Sequence, residues 1–168
     1  MIEAGVLDDK KVELLNGEIC QMPSEGAPHS YFGGSLADQF RDNLTDRALV
    51  RNANPITLPD SEPEPDIAIV KGSWRDYRYR HPYPEDVLLI VEVASSSLQK
   101  DLGLKRTIYA TAGIPEYWVL NINQSELVVF RDLRDGDYQS ERRLNRGDVS
   151  PLAFPDISFS VGSLLDSL

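Results

Sequence analysis

The sequence predicts a mixed α/β (α+β) fold, with a mixed central β-sheet flanked by two main helices and an N-terminal β-hairpin. Three observations carry this. Short β-like runs recur along the chain, among them IAIV, VLLIVEV and EYWVLN. Two longer segments, Ser30 to Leu44 and Leu98 to Ala112, place apolar residues at helical spacing. KVELLNGEICQM alternates around Asn16-Gly17, the strongest short signal for a tight hairpin. Strands interleaved with helices favour a mixed sheet.

Taken in order, Lys11 to Leu15 and Glu18 to Met22 read as the hairpin strands, and PSEGAPH as a loop. Ser30 is the expected N-cap of the first helix, in which Leu36, Phe40 and Leu44 recur at four-residue spacing. Leu49 to Leu58 is extended and broken by Pro55; SEPEPD reads as a proline-rich turn. Asp66 to Val70 and Val87 to Val93 are strands, the second buried. Leu98 to Ala112 is a helix ended by Gly113, with Pro115 just beyond. Glu116 to Asn121, Ser125 to Arg131 and Tyr138 to Leu144 are further strands, and Val161 to Leu168 a last helical turn.

A chain of 168 residues without repeats or low-complexity linkers is expected to form one domain, 1–168. No apolar run is long enough for a membrane helix. MIEAGVLDDKKVE lacks the basic start and apolar block of a secretory signal, so a cytoplasmic location is expected. The single cysteine, Cys20, excludes an internal disulfide and a cysteine-based zinc site. A net charge of −10 argues against a broad basic surface for nucleic acid. It leaves room for a local basic patch, and for carboxylates that hold a cation.

The anomaly in VLLIVEVASSS is Glu92, an ionisable group inside an apolar run. A buried, unpaired carboxylate is costly and would protonate. An arginine partner, an exposed strand end or a metal ion would each account for it. Asp66 follows Pro65 and opens the run IAIV, where a turn residue is the plainer reading. On the wheel of Leu98 to Ala112 the apolar stripe is Leu98, Leu102, Ile108, Tyr109 and Ala112, and Lys105 falls in its middle. It could snorkel outward or meet Glu92; Asp101 lies toward the same face. Two carboxylates suit Mg²⁺ or Mn²⁺ better than zinc, and an adjacent lysine suits metal-assisted hydrolysis of a phosphodiester.

Between the Asp66 and Glu92 strands, WRDYRYRHPY interleaves Arg75, Arg78 and Arg80 with Trp74, Tyr77, Tyr79 and Tyr83. Arginine supplies phosphate contacts and aromatic rings stack on bases, so Arg75, Tyr77, Arg78 and Arg80 are candidate nucleic-acid contacts that would overhang the site. A solvated loop whose rings cover the core is the alternative.

The order Pro65-Asp66 … Glu92-Val93-Ala94 resembles the PD-(D/E)XK nuclease superfamily, with Ala94 where the pattern has lysine. ELLNGEI, EPDIAIV and LLIVEVASSSLQKDLGLKRTIYATAGIPEYWVL are similar to the Uma-type restriction endonuclease family, in which the lysine has moved to the following helix, here Lys105. The resemblance implies a restriction-endonuclease-like core and a metal-dependent endonuclease acting on nucleic acid, with DNA favoured. Asp66, Glu92 and Lys105 would be catalytic, with Asp66 and Glu92 holding Mg²⁺ or Mn²⁺. Glu13 and His29 are further site candidates, and a homodimer is implied by the resemblance alone. A fold does not establish an activity; the alternative is a catalytically silent module of the same fold that binds nucleic acid or protein.

Overall fold

The computed structural model describes residues 10–165. Strands β1 (Val12–Leu15) and β2 (Glu18–Gln21) form the antiparallel hairpin, with Asn16 and Gly17 at φ 49° and 78°. Two successive positive φ values are what a type I′ turn requires. Helix α1 (Ala27–Leu44) starts earlier than expected. Its N-cap is Gly26, and Pro28 stands in the first turn, where a missing N–H costs nothing. Ser30 therefore lies inside the helix rather than capping it, its N–H bonded to the Gly26 carbonyl at 3.1 Å.

The central sheet is six-stranded, built in chain order from β3 (Leu49–Asn52), β4 (Ile67–Val70), β5 (Val87–Ala94), β6 (Tyr117–Asn121), β7 (Glu126–Arg134) and β8 (Asp137–Leu144). Only β5 and β6 run parallel, so the sheet is mixed. A parallel pair needs a crossover, which here is helical: α2 (Leu98–Lys100), a π turn (Asp101–Lys105) and α3 (Arg106–Thr111). Gly113, at φ 88°, ends it, as the sequence predicts. The tail adds β9 (Asp148–Val149), β10 (Phe159–Ser160) and α4 (Val161–Leu165); the last three residues of the expected helical turn lie outside the described residues.

SEPEPD is not a turn. The chain reverses just before it, where the Leu58 N–H bonds the Ser61 carbonyl at 2.8 Å. Ser61, Pro63 and Pro65 are then buried in alternation with the half-buried Glu62, Glu64 and Asp66, and Glu62 bridges to Leu14 of β1. Proline fixes φ in the extended range and restricts the residue before it likewise. Two prolines at alternate positions therefore straighten this segment.

Alternation along β5 separates two cores. Leu89, Val91 and Val93 join Ile67, Ile69, Trp118 and Leu120 beneath Phe32, Leu36 and Phe40 of α1. Ile90 and Ala94 join Ala68, Tyr117, Val119 and Val128 beneath Ile108 and Tyr109 of α3, with Leu15 of the hairpin. Glu92, between Ile90 and Ala94, thus occupies a core position under the crossover helix.

A second buried glutamate ties the tail to the sheet. Glu116 accepts from Trp118 Nε1 at 2.7 Å, Arg131 Nε at 2.7 Å and the Leu152 N–H at 2.7 Å. Burial raises its pKa, while these donors and the Arg131 charge favour the carboxylate. Removing the carboxylate strands a half-buried guanidinium. Glu116→Ala is therefore expected to lower stability by about 3 kcal/mol, measured by urea unfolding with Trp118 fluorescence as the reporter.

Candidate active site

The β4–β5 register pairs Ile67 with Val91, which sets Asp66 and Glu92 side by side across the strands. The two residues hold each other. The Asp66 N–H donates to Glu92 Oε2 at 3.3 Å, and the Val93 N–H donates to Asp66 Oδ2 at 2.6 Å. The straight proline segment delivers Asp66 to this point, and the strand alternation turns Glu92 under the helix.

Lys105 meets Glu92, as its place in the apolar stripe suggested. Its Nζ donates to Glu92 Oε1 at 2.9 Å and lies 3.4 Å from Glu13 Oε2. Tyr109, one turn on, donates its hydroxyl to the same Glu92 oxygen at 2.7 Å. Lys100 donates to Glu13 Oε1 at 2.8 Å. The π turn explains this convergence. It closes i→i+5 hydrogen bonds, which brings residues five apart, such as Lys100 and Lys105, round to one side. Glu13 comes from β1, where Glu13 and Leu15 are the inward positions.

At the mouth, His29 Nε2 lies 3.3 Å from Asp66 Oδ2, and His29 Nδ1 lies 3.6 Å from Glu25 Oε2. The early start of α1 places both Glu25 and His29 at the site. Glu13, His29, Asp66, Glu92, Lys100 and Lys105 line a cavity of about 40 Å³. A larger cleft of about 620 Å³, lined by Gln124, Ser125, Asn145, Arg146, Gly162 and Leu165, holds no carboxylate or imidazole.

The electrostatics are those of a crowded acid cluster. Burial pushes the Glu92 carboxyl up to about 8; Lys105 opposes the rise, and the Asp66 and Asp101 charges add to it. Burial alone would lower Lys105, but Glu92, Glu13 and Asp101 outweigh it and hold the ammonium above the ordinary lysine range. Asp101 is raised, chiefly by burial. His29 is raised by its contact with Asp66, against burial.

The donor set fits a divalent cation. Glu25, His29 and Asp66 each offer a ligand atom, all within 4.8 Å of one another. Glu92 Oε1 is filled by Lys105 and Tyr109, whereas Oε2 carries only the Asp66 N–H and keeps a lone pair. Two buried atoms that line the cavity, Glu13 Oε2 and His29 Nδ1, have no hydrogen-bond partner. Carboxylate oxygens with one imidazole suit Mn²⁺, and Mg²⁺ through the oxygens.

The arginine loop lies elsewhere. In the antiparallel β4–β5 pair, Val70 faces Val87, so the connection between them leaves the sheet at the end away from Asp66, about 13 Å along the strands. The expectation that it overhangs the carboxylates is corrected by that strand direction, and none of Arg75, Tyr77, Arg78 or Arg80 lines the cavity. Arg80 pairs with Asp86 at 2.6 Å and stacks on Tyr77 and Tyr83, and Tyr77 packs against the core. Arg75 and Arg78 are exposed.

Residues 3–162 match the family model Uma2, described as "Putative restriction endonuclease". The chain belongs to that family. A solved structure from Anabaena variabilis, described as a "putative nuclease belonging to DUF820", matches with a TM-score of 0.76. That likeness covers 93% of this chain and 90% of that one at 15% identity, and it supports the restriction-endonuclease-like fold alone. No curated protein matches the chain. No helix among the described residues is long and apolar enough to cross a membrane.

Three residues of the cluster escaped the sequence reading. Glu25 fell in a stretch read as loop, Lys100 lies off the regular helical stripe, and Tyr109 counted as apolar. Only Tyr109 carried a signal, four residues beyond the inward Lys105.

The raised groups give a pH dependence. A group whose folded pKa exceeds its unfolded value stabilises the fold below the unfolded pKa and loses that contribution as pH rises through the folded one. Glu92, Asp101 and His29 all act in this sense, while Lys105 acts only above the ordinary lysine range. In chelator, the unfolding free energy is expected to fall between pH 4.5 and about 8. Glu92→Gln should fall less steeply, measured by urea denaturation across that range.

Proposed function

We propose that the chain is a metal-dependent endonuclease that hydrolyses phosphodiester bonds of nucleic acid, with DNA as the favoured substrate. The observation that carries this reading is the convergence of Asp66, just before β4, Glu92 of β5 and Lys105 of the π turn, beside a histidine and two further glutamates. Stability does not call for such a cluster. Buried ion pairs are often matched or bettered by apolar residues of similar volume.

Asp66 and Glu92 would hold Mg²⁺ or Mn²⁺, with His29 adding a nitrogen ligand after losing its proton. A bound divalent ion supplies the charge that polarises a phosphoryl oxygen and eases the ionisation of water. Lys105 keeps Glu92 ionised when the cation is present. Its third N–H would orient water on the cavity floor. Its ammonium is strongly favoured, so a free-amine base role is disfavoured. Tyr109 fixes the Glu92 rotamer, and Glu13 balances the two lysines.

The cavity suits an ion and a water or two, not a nucleotide, so the phosphodiester would lie across its mouth. Arg75 and Arg78 would meet backbone phosphates farther along the strand, with Tyr77 and Arg80 shaping the loop that carries them. A homodimer would place two such sites for two strands. A silent binding module is the second reading, favoured by the net charge of −10, which opposes a polyanion.

Cleavage of a plasmid or oligonucleotide substrate with Mn²⁺ or Mg²⁺ tests the reading. Wild type is expected to cut, and chelator, Asp66→Ala and Glu92→Ala each to reduce the rate about a hundredfold or more. Cleavage that survives in both variants would come from a contaminant. Absence of cleavage by wild type would favour the silent module.

A further inference from the structure

Two lysines converge on Glu13, and their surroundings differ. The Lys105 side chain is 5% exposed, with Nζ at 2.9 Å from Glu92 and 3.4 Å from Glu13. Lys100 donates to the other oxygen of Glu13 at 2.8 Å, and its side chain is 28% exposed. Both line the cavity that contains Asp66 and Glu92.

An ammonium has three donors and no acceptor. Lys105 donates to Glu92 and is ion-paired with Glu13, both within the fold. Lys100 commits one and keeps two at a position that solvent reaches. Glu13 is shared between them, one oxygen to each lysine, and its side chain is fully buried on a strand that Leu15 anchors in the core. A free lysine spreads over many rotamers, and fixing it costs conformational entropy. A buried carboxylate holding one end of that side chain in place offsets the cost in advance.

We propose that Lys100 is the residue that binds a substrate backbone phosphate at the cavity mouth, and that Glu13 is the positioning residue that aims it. The proposal rests on the nuclease reading and deepens it. A polyanion approaching Glu25, Asp66 and Glu92 needs a cation at the rim, and a phosphate contact neutralises charge without reading sequence. Lys11 does not meet the requirement. It is paired with Glu25 at 2.6 Å and Glu64 at 3.6 Å, and it lies outside the cavity lining.

The test measures binding of fluorescein-labelled duplex and single-stranded oligonucleotides to the full chain by anisotropy, in Ca²⁺, over a range of salt. Lys100→Gln is expected to weaken binding severalfold for every sequence and to lower the salt slope by about one. Lys100→Arg should restore both, and Lys11→Gln should match wild type. Glu13→Gln should move the slope in the same direction, which a merely structural role would not do. With Mn²⁺, Lys100→Gln should raise KM more than it lowers kcat. Wild-type affinity and slope in a folded Lys100→Gln variant would overturn the assignment, and the nuclease reading would stand if wild type still cleaved. A wild type that neither bound nor cleaved would remove both.

Discussion

The structure turns on one carboxylate placed where an apolar side chain would be expected. Glu92 sits between Ile90 and Ala94 on the sheet face that α3 covers. Its charge must be met there, because an unpaired buried carboxylate would protonate. Three separate elements are arranged to meet it. The crossover helix supplies Lys105 and Tyr109, and the segment before β4 supplies the Asp66 N–H. The hairpin then supplies Glu13, whose carboxylate accepts the remaining lysine charge. The π turn belongs to the same requirement. A regular α-helix would direct Lys100 away from Lys105, and the wider turn brings both to one carboxylate.

The sheet holds a second buried glutamate, and the contrast is instructive. Both Glu116 oxygens accept short hydrogen bonds, from an indole, a guanidinium and a backbone amide. Its consequence is to fasten the tail through Leu152. The Glu92 cluster is different in kind. It leaves Glu13 Oε2 and His29 Nδ1 buried without a hydrogen bond, their nearest charged groups being Lys105 at 3.4 Å and Glu25 at 3.6 Å, and it surrounds a space large enough for an ion. A cluster that served only stability would tend to complete its hydrogen bonds, as Glu116 does. The incompleteness at Glu92 is what points toward a ligand.

Much of this was legible before the fold was known, because the residues break their local patterns. Glu92 interrupts an apolar strand and Lys105 interrupts an apolar helical stripe, and each anomaly led to the other. The hairpin followed from Asn16-Gly17, whose backbone demands are local. What was hidden depended on tertiary geometry. Lys100 lies off the stripe of any regular α-helix and reaches the site only through the π turn. SEPEPD looked like a turn by composition, yet its prolines keep it extended once Glu62 bridges to β1. Glu25, in a stretch that read as loop, joined the site because α1 is capped at Gly26 rather than at Ser30. The arginine loop was misplaced for a reason the sequence could have supplied. Antiparallel strands send their connection to the end opposite the first residue of the first strand.

The central claim is that Asp66, Glu92 and His29 form a divalent-cation site, with Lys105 bonded to Glu92. Calorimetric titration of Mn²⁺ near pH 7, in two buffers of different ionisation enthalpy, tests it most directly. The account predicts saturable binding with net proton release, because burial raises the Glu92 carboxyl to about 8 and the ion requires the carboxylate, and loss of that binding in Asp66→Ala. Absence of saturable binding in wild type, or binding of the same strength in Asp66→Ala, would contradict it.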